Sequence, residues 1–269
     1  MKLGEKGLFS RLFRRKDTQE KAADLAAEAA FVLINTSGES AAHILEERSE
    51  DEEPLPEYLA KVSDIEAVCR NLTLCRNKQQ LLAVIGREVS TYPLTLPEQM
   101  YASFAAKVNN LPASYRDALL PAIHSQIFDA YHDLLRLYRA GEDAVHDEPC
   151  REDLSRYCAM VVAACRAKAA QKDPTALWMK YLLACYSMYV AEEPAHPVGT
   201  PFPGGQIVDT WDGVYYCPVR NQADDVPFAL CSFCPAVQSD EPIYPWSYKI
   251  RQKRERQASL QNYWTNYKG

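Results

Sequence analysis

Cys217-Pro218 and, further on, Cys231-Ser232-Phe233-Cys234-Pro235 combine the residue types and spacing of a metal–thiolate site. A C-x2-C turn sends two side chains to the same side of a tight backbone, so both sulfurs can face one ion. The prolines after Cys217 and Cys234 stiffen those turns, and Cys217 supplies a third sulfur. A tetrahedral zinc site takes four ligands. His196, at the mouth of a glycine-proline loop, is the first candidate for the fourth, and Cys185, late in an apolar segment, is the second. Zinc is the expected ion, with an iron–sulfur cluster on the same thiolates as the alternative. A closed site implies an accessory or interaction protein, in which the ion fixes loops that present Arg220, Phe233 and the glycine-proline segment. An open fourth position implies an enzyme or cofactor-assembly factor. Against ligation stands the ordinary behaviour of free cysteine as a small buried hydrophobe. Thiol–disulfide chemistry fits less well, because the pair does not follow a strand and open a helix.

The remaining candidates carry weaker chemistry. Cys158 and Cys165 share one helical face with Val161 and Val162, and Cys69 and Cys75 flank a helix end, so packing explains them. Cys150 stands alone in a charged loop. His124 and His132 lie two turns apart, about 12 Å along a helix, too far to share an ion directly. His43 and His146 sit in charged loops. The stretch Gly199 to Gly205 lacks the Gly-Lys-Ser/Thr ending of a phosphate loop. No metalloprotease, nucleophile-elbow or dinucleotide signature is present, so no class of enzyme is indicated.

The elements that must position the cysteines form a mainly α protein: an antiparallel helical array followed by a small Cys-rich, loop and β-hairpin module. The chain has 269 residues, 47% hydrophobic and 25% charged, enough for a sizeable core without disulfides. Nine cysteines, no apolar stretch of signal-peptide length in Met1 to Lys16, and a net charge of −6 fit a soluble cytoplasmic protein with reduced thiols that does not coat nucleic acid. The apolar run Ala176 to Ala191 contains Lys180 and falls short of the ~20 predominantly apolar residues of a membrane span, so it reads as a buried helix.

Residues 1–17 are a basic amphipathic lead, with Leu8, Leu12, Phe9 and Phe13 beside Arg11, Arg14 and Arg15, suited to a membrane surface or a protein partner's groove. Residues 18–56 contain an Ala/Glu-rich helix and an acidic linker. The helical domain spans 57–193. There Asn77 caps a helix ending at Val89, Pro97 opens another with Thr95 or Leu96 as cap, and Ser114 starts a long helix closed by Gly141. Pro121 should kink or divide that long helix. Helices over about 152–171 and 174–190 complete six or seven. The module spans 194–246, where four of the ten glycines fall between Gly199 and Gly213, and Gln206–Thr210 and Val214–Cys217 form a hairpin about Trp211-Asp212-Gly213. A basic, aromatic tail, 247–269, ends in Tyr263, Trp264 and Tyr267; with the lead it offers a surface-binding alternative.

The strings His196-Pro-Val-Gly-Thr-Pro-Phe-Pro-Gly-Gly205, Tyr215-Tyr-Cys-Pro-Val-Arg220 and Ala229-Leu-Cys-Ser-Phe-Cys-Pro-Ala-Val-Gln238 resemble an uncharacterised archaeal family, mainly of methanogens, classed as a domain of unknown function. The resemblance is specific over 196–238 and looser over 57–190. It implies a cytoplasmic protein of an anaerobe, adds weight to the iron–sulfur alternative, and transfers no catalytic role. Cys217, Cys231, Cys234 and His196 are positions within its strings.

Overall fold

A computed structural model of the chain describes residues 54–141, 144–223 and 226–245. The basic lead, the Ala/Glu-rich helix expected before the acidic linker, and the basic tail lie outside the described residues. Among the described residues seven α-helical segments follow one another: α1 (Leu59–Thr73), α2 (Lys78–Val89), α3 (Thr95–Lys107), α4 (Ala113–His124), α5 (Ala130–Ala140), α6 (Leu154–Ala169) and α7 (Thr175–Cys185). The three strands are β1 (Asp209–Trp211), β2 (Val214–Cys217) and β3 (Val237–Gln238). The protein is mainly helical, as the apolar periodicity indicates.

Local signals start and stop several helices as expected. The Asn77 side chain accepts the Gln80 N–H at 2.9 Å and caps α2. Gly141, at φ 95°, closes α5 with its N–H on the Leu137 carbonyl. Two expectations need correction. Helix α3 begins one residue earlier than either proposed cap allows, at Thr95 with Leu94 preceding it and no side-chain cap. Pro121 does not divide the long helix, because α4 runs through it and joins α5 by a π-helical turn, Ser125–Asp129. Proline carries no N–H for the Asp117 carbonyl one turn back, yet the helix continues for three further residues before the π-helical turn begins.

Cross-helix contacts give the array its directions. Lys61 meets Asp173 at 2.6 Å, Glu66 pairs with Arg166 and Cys69 lies against Cys158, so α1 runs antiparallel to α6. In the same way Gly86 faces Tyr138 while Gln79 donates to the Val145 carbonyl, so α2 and the α5 end are antiparallel. Helix α7 is the axle. Leu177, Trp178, Met179, Tyr181, Leu182, Leu183, Ala184 and Cys185 are all buried, and α2, α3, α5 and α6 pack around it. A helix apolar on all sides is a core helix, as its sequence announces. Trp178 nonetheless places its indole N–H, by donating to Glu88 at 3.0 Å. No helix among the described residues is long and apolar enough to cross a membrane.

Past Val190 the chain changes character. Asp212 and Gly213 both adopt positive φ (49° and 75°), so the β1–β2 hairpin closes on a two-residue turn that glycine makes accessible. The first strand covers Asp209–Trp211 and not Gln206–Thr210, and Trp211 pairs with Val214, so the turn holds Asp212 and Gly213 without Trp211. The third strand, β3, pairs in parallel with β2, Tyr216 opposite Val237 and Cys217 opposite Gln238.

Candidate functional site

The sheet is what brings the separated cysteines into one neighbourhood. Parallel pairing of β2 with β3 sets Cys217 beside the strand that leaves Cys234-Pro235-Ala236. Gln238 clamps the arrangement, donating to the Pro218 carbonyl at 2.9 Å and accepting the Asn221 N–H at 2.9 Å. Ser239 N–H reaches the Cys217 carbonyl at 3.1 Å. The C-x2-C segment itself is a 3-10 turn, Cys231–Phe233, whose last amide bond runs from Cys234 N–H to the Cys231 carbonyl at 3.1 Å.

Each sulfur sits in a buried or half-buried place. Burial pushes the Cys217 thiol up to about 11, while the N–H groups of Val219 and Arg220 and the Arg220 charge oppose the rise. The Cys231 thiol goes up to about 12, first through burial and then through the neighbouring Cys217 and Cys234. The Cys234 thiol is raised by burial and opposed by the N–H groups of Ala236 and Ala195 and by Arg220 and Arg151. The three thiols therefore interact electrostatically, and Arg220 acts on all of them. That guanidinium also spans the carbonyls of Ser232 and Cys234, each at 3.4 Å. Among the described residues, however, no three His, Cys, Asp or Glu side chains already form a group ready to hold a metal ion.

The two candidates for a fourth ligand are placed differently. His196 is 4% exposed, packs edge-on to Phe202 with ring centroids 5.6 Å apart, and is held neutral down to about pH 4 by burial and by the Lys180 charge. Its preceding residue, Ala195, is one of the two whose backbone N–H opposes the rise of the Cys234 thiol. Cys185 belongs to a different set. The charges that act on it are those of Cys158, Cys150 and Cys75, in the helical core. All nine cysteines are unbridged.

Phe233 corrects a sequence expectation. It is not presented to a partner: at 4% exposure it inserts against Tyr157 (centroids 5.3 Å apart), with Arg156 5.2 Å over its ring. Together with Leu230 and Ala195 it joins the helices' own core. Tyr181 donates to the Phe228 carbonyl at 3.2 Å, Gln126 to Ala195 at 2.6 Å and Tyr115 to Pro201 at 3.2 Å. These bonds fasten the loops to α4, its π-helical turn and α7.

Sequence reasoning passed over two groups near the sulfurs. Lys180, read as a mark against a membrane span, acts electrostatically on both His196 and Cys231, and burial lowers its ammonium to about 8. Arg151, Asp153 and Tyr189 form a polar knot beside Cys234, with Arg151 2.6 Å from Asp153 and 4.8 Å over the Tyr189 ring. Arg151 Nη1, Asp153 Oδ1 and the Tyr189 hydroxyl are buried without a hydrogen-bond partner. Only the Arg151-Glu-Asp153 charge pattern could have hinted at it.

Helices carrying a Cys-rich, sheet-clamped loop module define the architectural class. The chain belongs to DUF2115, a family described as uncharacterized protein conserved in archaea, whose model matches residues 77–239. A UPF0305 protein of Methanothermobacter thermautotrophicus is 54% identical over 61 residues, a segment that is 23% of this chain and 39% of the relative. A UPF0305 protein of Methanopyrus kandleri is 31% identical across 49% of this chain and 89% of its own length. One of Methanocaldococcus jannaschii is 24% identical across 61% of this chain and 97% of its own. No solved structure matches.

Proposed function

We propose that the protein is a metal-binding accessory or interaction protein, with Cys217, Cys231 and Cys234 as thiolate ligands. The observation that supports the reading is that β2–β3 pairing and the Cys231–Phe233 turn bring the three cysteines within electrostatic reach of one another, with the Arg220 guanidinium acting on all three. Amide N–H groups and a cation favour sulfur in its negative form, which is the form that binds metal. Binding an ion requires the three side chains to rotate inward within turns that the β2–β3 pairing and Gln238 already hold together. Metal then offsets the cost of burying the thiolates, since a coordinating thiol is deprotonated outright.

Zinc suits three sulfurs and a neutral nitrogen, which makes His196 the fitting fourth ligand. Its imidazole stays unprotonated at neutral pH. An iron–sulfur cluster on the same thiolates is distinguished by colour on anaerobic purification. Nine unbridged cysteines suit a reducing compartment, in keeping with the cytoplasm.

The test is elemental analysis of protein purified anaerobically, for wild type, Cys217→Ser and Cys234→Ser. About one equivalent of bound metal in wild type and its loss from both variants, with helical circular dichroism retained, is the expected result. Equal metal content in all three would contradict the reading.

A further inference from the structure

A cavity of about 410 Å³ opens between α3, the π-helical turn, the end of α6 and the start of α7. That volume is within the range of about 300–1,000 Å³ typical of small-molecule sites. Its walls have two kinds of residue. Half-buried Met100 and Phe104 and buried Ile127 and Leu177 make an apolar floor, while Lys107, Lys168, Lys172 and Lys180 carry positive charge to it from three directions. The sole acid of the lining, Asp173, is committed elsewhere: it accepts Lys61 at 2.6 Å and the Thr175 N–H at 2.9 Å.

We infer that this cavity binds a small amphipathic anion, its apolar body on the Met100–Phe104–Leu177 floor and its carboxylate or phosphate head among Lys168, Lys172 and Lys180. Four lysines line this one apolar hollow in a chain of net charge −6, Lys107 and Lys172 exposed and Lys168 and Lys180 half-buried. Lys107 and Lys168 lie in the last turns of α3 and α6, where they also complement the helix dipoles. Lys180 has no such explanation. It is half-buried in the middle of α7, among that helix's eight buried apolar residues, where a cation is costly to hold. All four lysines have further interactions within the chain, so the head group joins or displaces existing partners and does not meet bare ammonium groups.

The backbone gives a second, independent pointer. The π-helical turn Ser125–Asp129 supplies Gln126 and Ile127 to the cavity wall, and π turns inside helices occur frequently at functional sites. Gln126 simultaneously holds the Ala195 carbonyl at 2.6 Å, which ties the cavity wall to the segment that begins His196-Pro-Val-Gly. Lys180 spans the same gap, lining the cavity and acting electrostatically on His196 and Cys231. Ligand occupancy is thus positioned to be sensed by the cysteine-bearing loops, although the cavity binds its ligand independently of any metal there.

The test is calorimetric titration of the full chain with decanoate, monodecyl phosphate, neutral 1-decanol and inorganic phosphate, each below its micelle concentration or solubility limit. Saturable micromolar binding of at least one decyl anion is expected, at least tenfold tighter than decanol, with no heat from inorganic phosphate. The tighter of the two anions identifies the head group. Lys180→Gln should weaken the anion at least tenfold, and Lys172→Gln by a smaller factor. Ala176→Trp, which fills the cavity from an exposed position, should abolish binding while helical circular dichroism is unchanged. Decanol binding as tightly as the anions, wild-type affinity in Ala176→Trp and both lysine variants, or no anion binding at all would each overturn the inference.

Discussion

The helical body and the loop module that follows it are stabilised by different means, although they share one core. In the body, α7 is surrounded by four helices and nearly every inward position is apolar, so its order rests on buried hydrophobic area. Beyond Val190 the apolar clusters separate from the body's core are small: Phe202, Val208, Cys217, Val219 and Ala236 in one, Ala223, Ala229 and Cys231 in another. Such clusters are too slight to order a loop-rich segment alone. The module is instead fastened by side chains of the body that reach its carbonyls, and by Phe233 and Leu230 inserted into the body's core. The contrast teaches where function can reside. The body is ordered by its own core, whereas the module carries the sulfurs proposed as metal ligands and depends on contacts with the body.

The largest expected effect comes from cutting the anchor between the two regions. Phe233→Ala removes a fully packed ring from against Tyr157 and should destabilise the folded protein by about 3–5 kcal/mol. Chemical denaturation should also show a separate early transition for the module. A single unchanged transition would mean that the module orders itself.

Acid should separate the regions next. The His196 imidazole titrates near 4 when folded, against ~6.5 in an unfolded chain, so the unfolded state takes up the proton first. Its contribution is fully present above about pH 6.5 and is lost as pH falls toward 4, on the order of 3 kcal/mol in all at ~1.4 kcal/mol per pH unit. His196→Gln should flatten that part of the stability–pH curve. A curve parallel to wild type between pH 6.5 and 4 would mean the histidine is solvated.

Two smaller effects belong to the body alone. A Cβ at Gly86 would overlap the Tyr138 side chain, so Gly86→Ala should cost about 1–3 kcal/mol despite alanine's better helix propensity. Pairing it with Tyr138→Ala should recover part of the loss in a double-mutant cycle. Asn77→Ala removes the α2 cap and should cost ~1 kcal/mol in thermal denaturation. Neither substitution should alter metal content.

The same contrast decides what could be read in advance. Asn77, Gly141 and the apolar run of α7 act within a turn or two of themselves, and periodicity or cap chemistry reveals them. The features that escaped notice depend on long-range pairing. Strand β3 is two residues long and carries no pattern of its own; its partner β2 makes it a strand. Phe233 looked like a loop residue because Tyr157, its packing partner, is far away in sequence. The cavity lysines come from α3, α7 and the end of α6, and nothing in their local surroundings joins them. At the candidate site, spacing nominates Cys217, Cys231 and Cys234 as proposed ligands, and the mouth of the glycine-proline loop nominates His196. The amide donors behind the sulfurs, Lys180 beyond His196 and the buried polar knot of Arg151, Asp153 and Tyr189 emerged only with the fold.

Amide hydrogen exchange with and without a strong chelator tests the role of metal most directly. The N–H groups of Val219, Arg220 and Ala236 should be protected in zinc-loaded protein and exchange quickly after chelation, while those of α7 stay protected in both. Identical protection of the Val219, Arg220 and Ala236 amides in the two states would contradict metal as the element that orders the module.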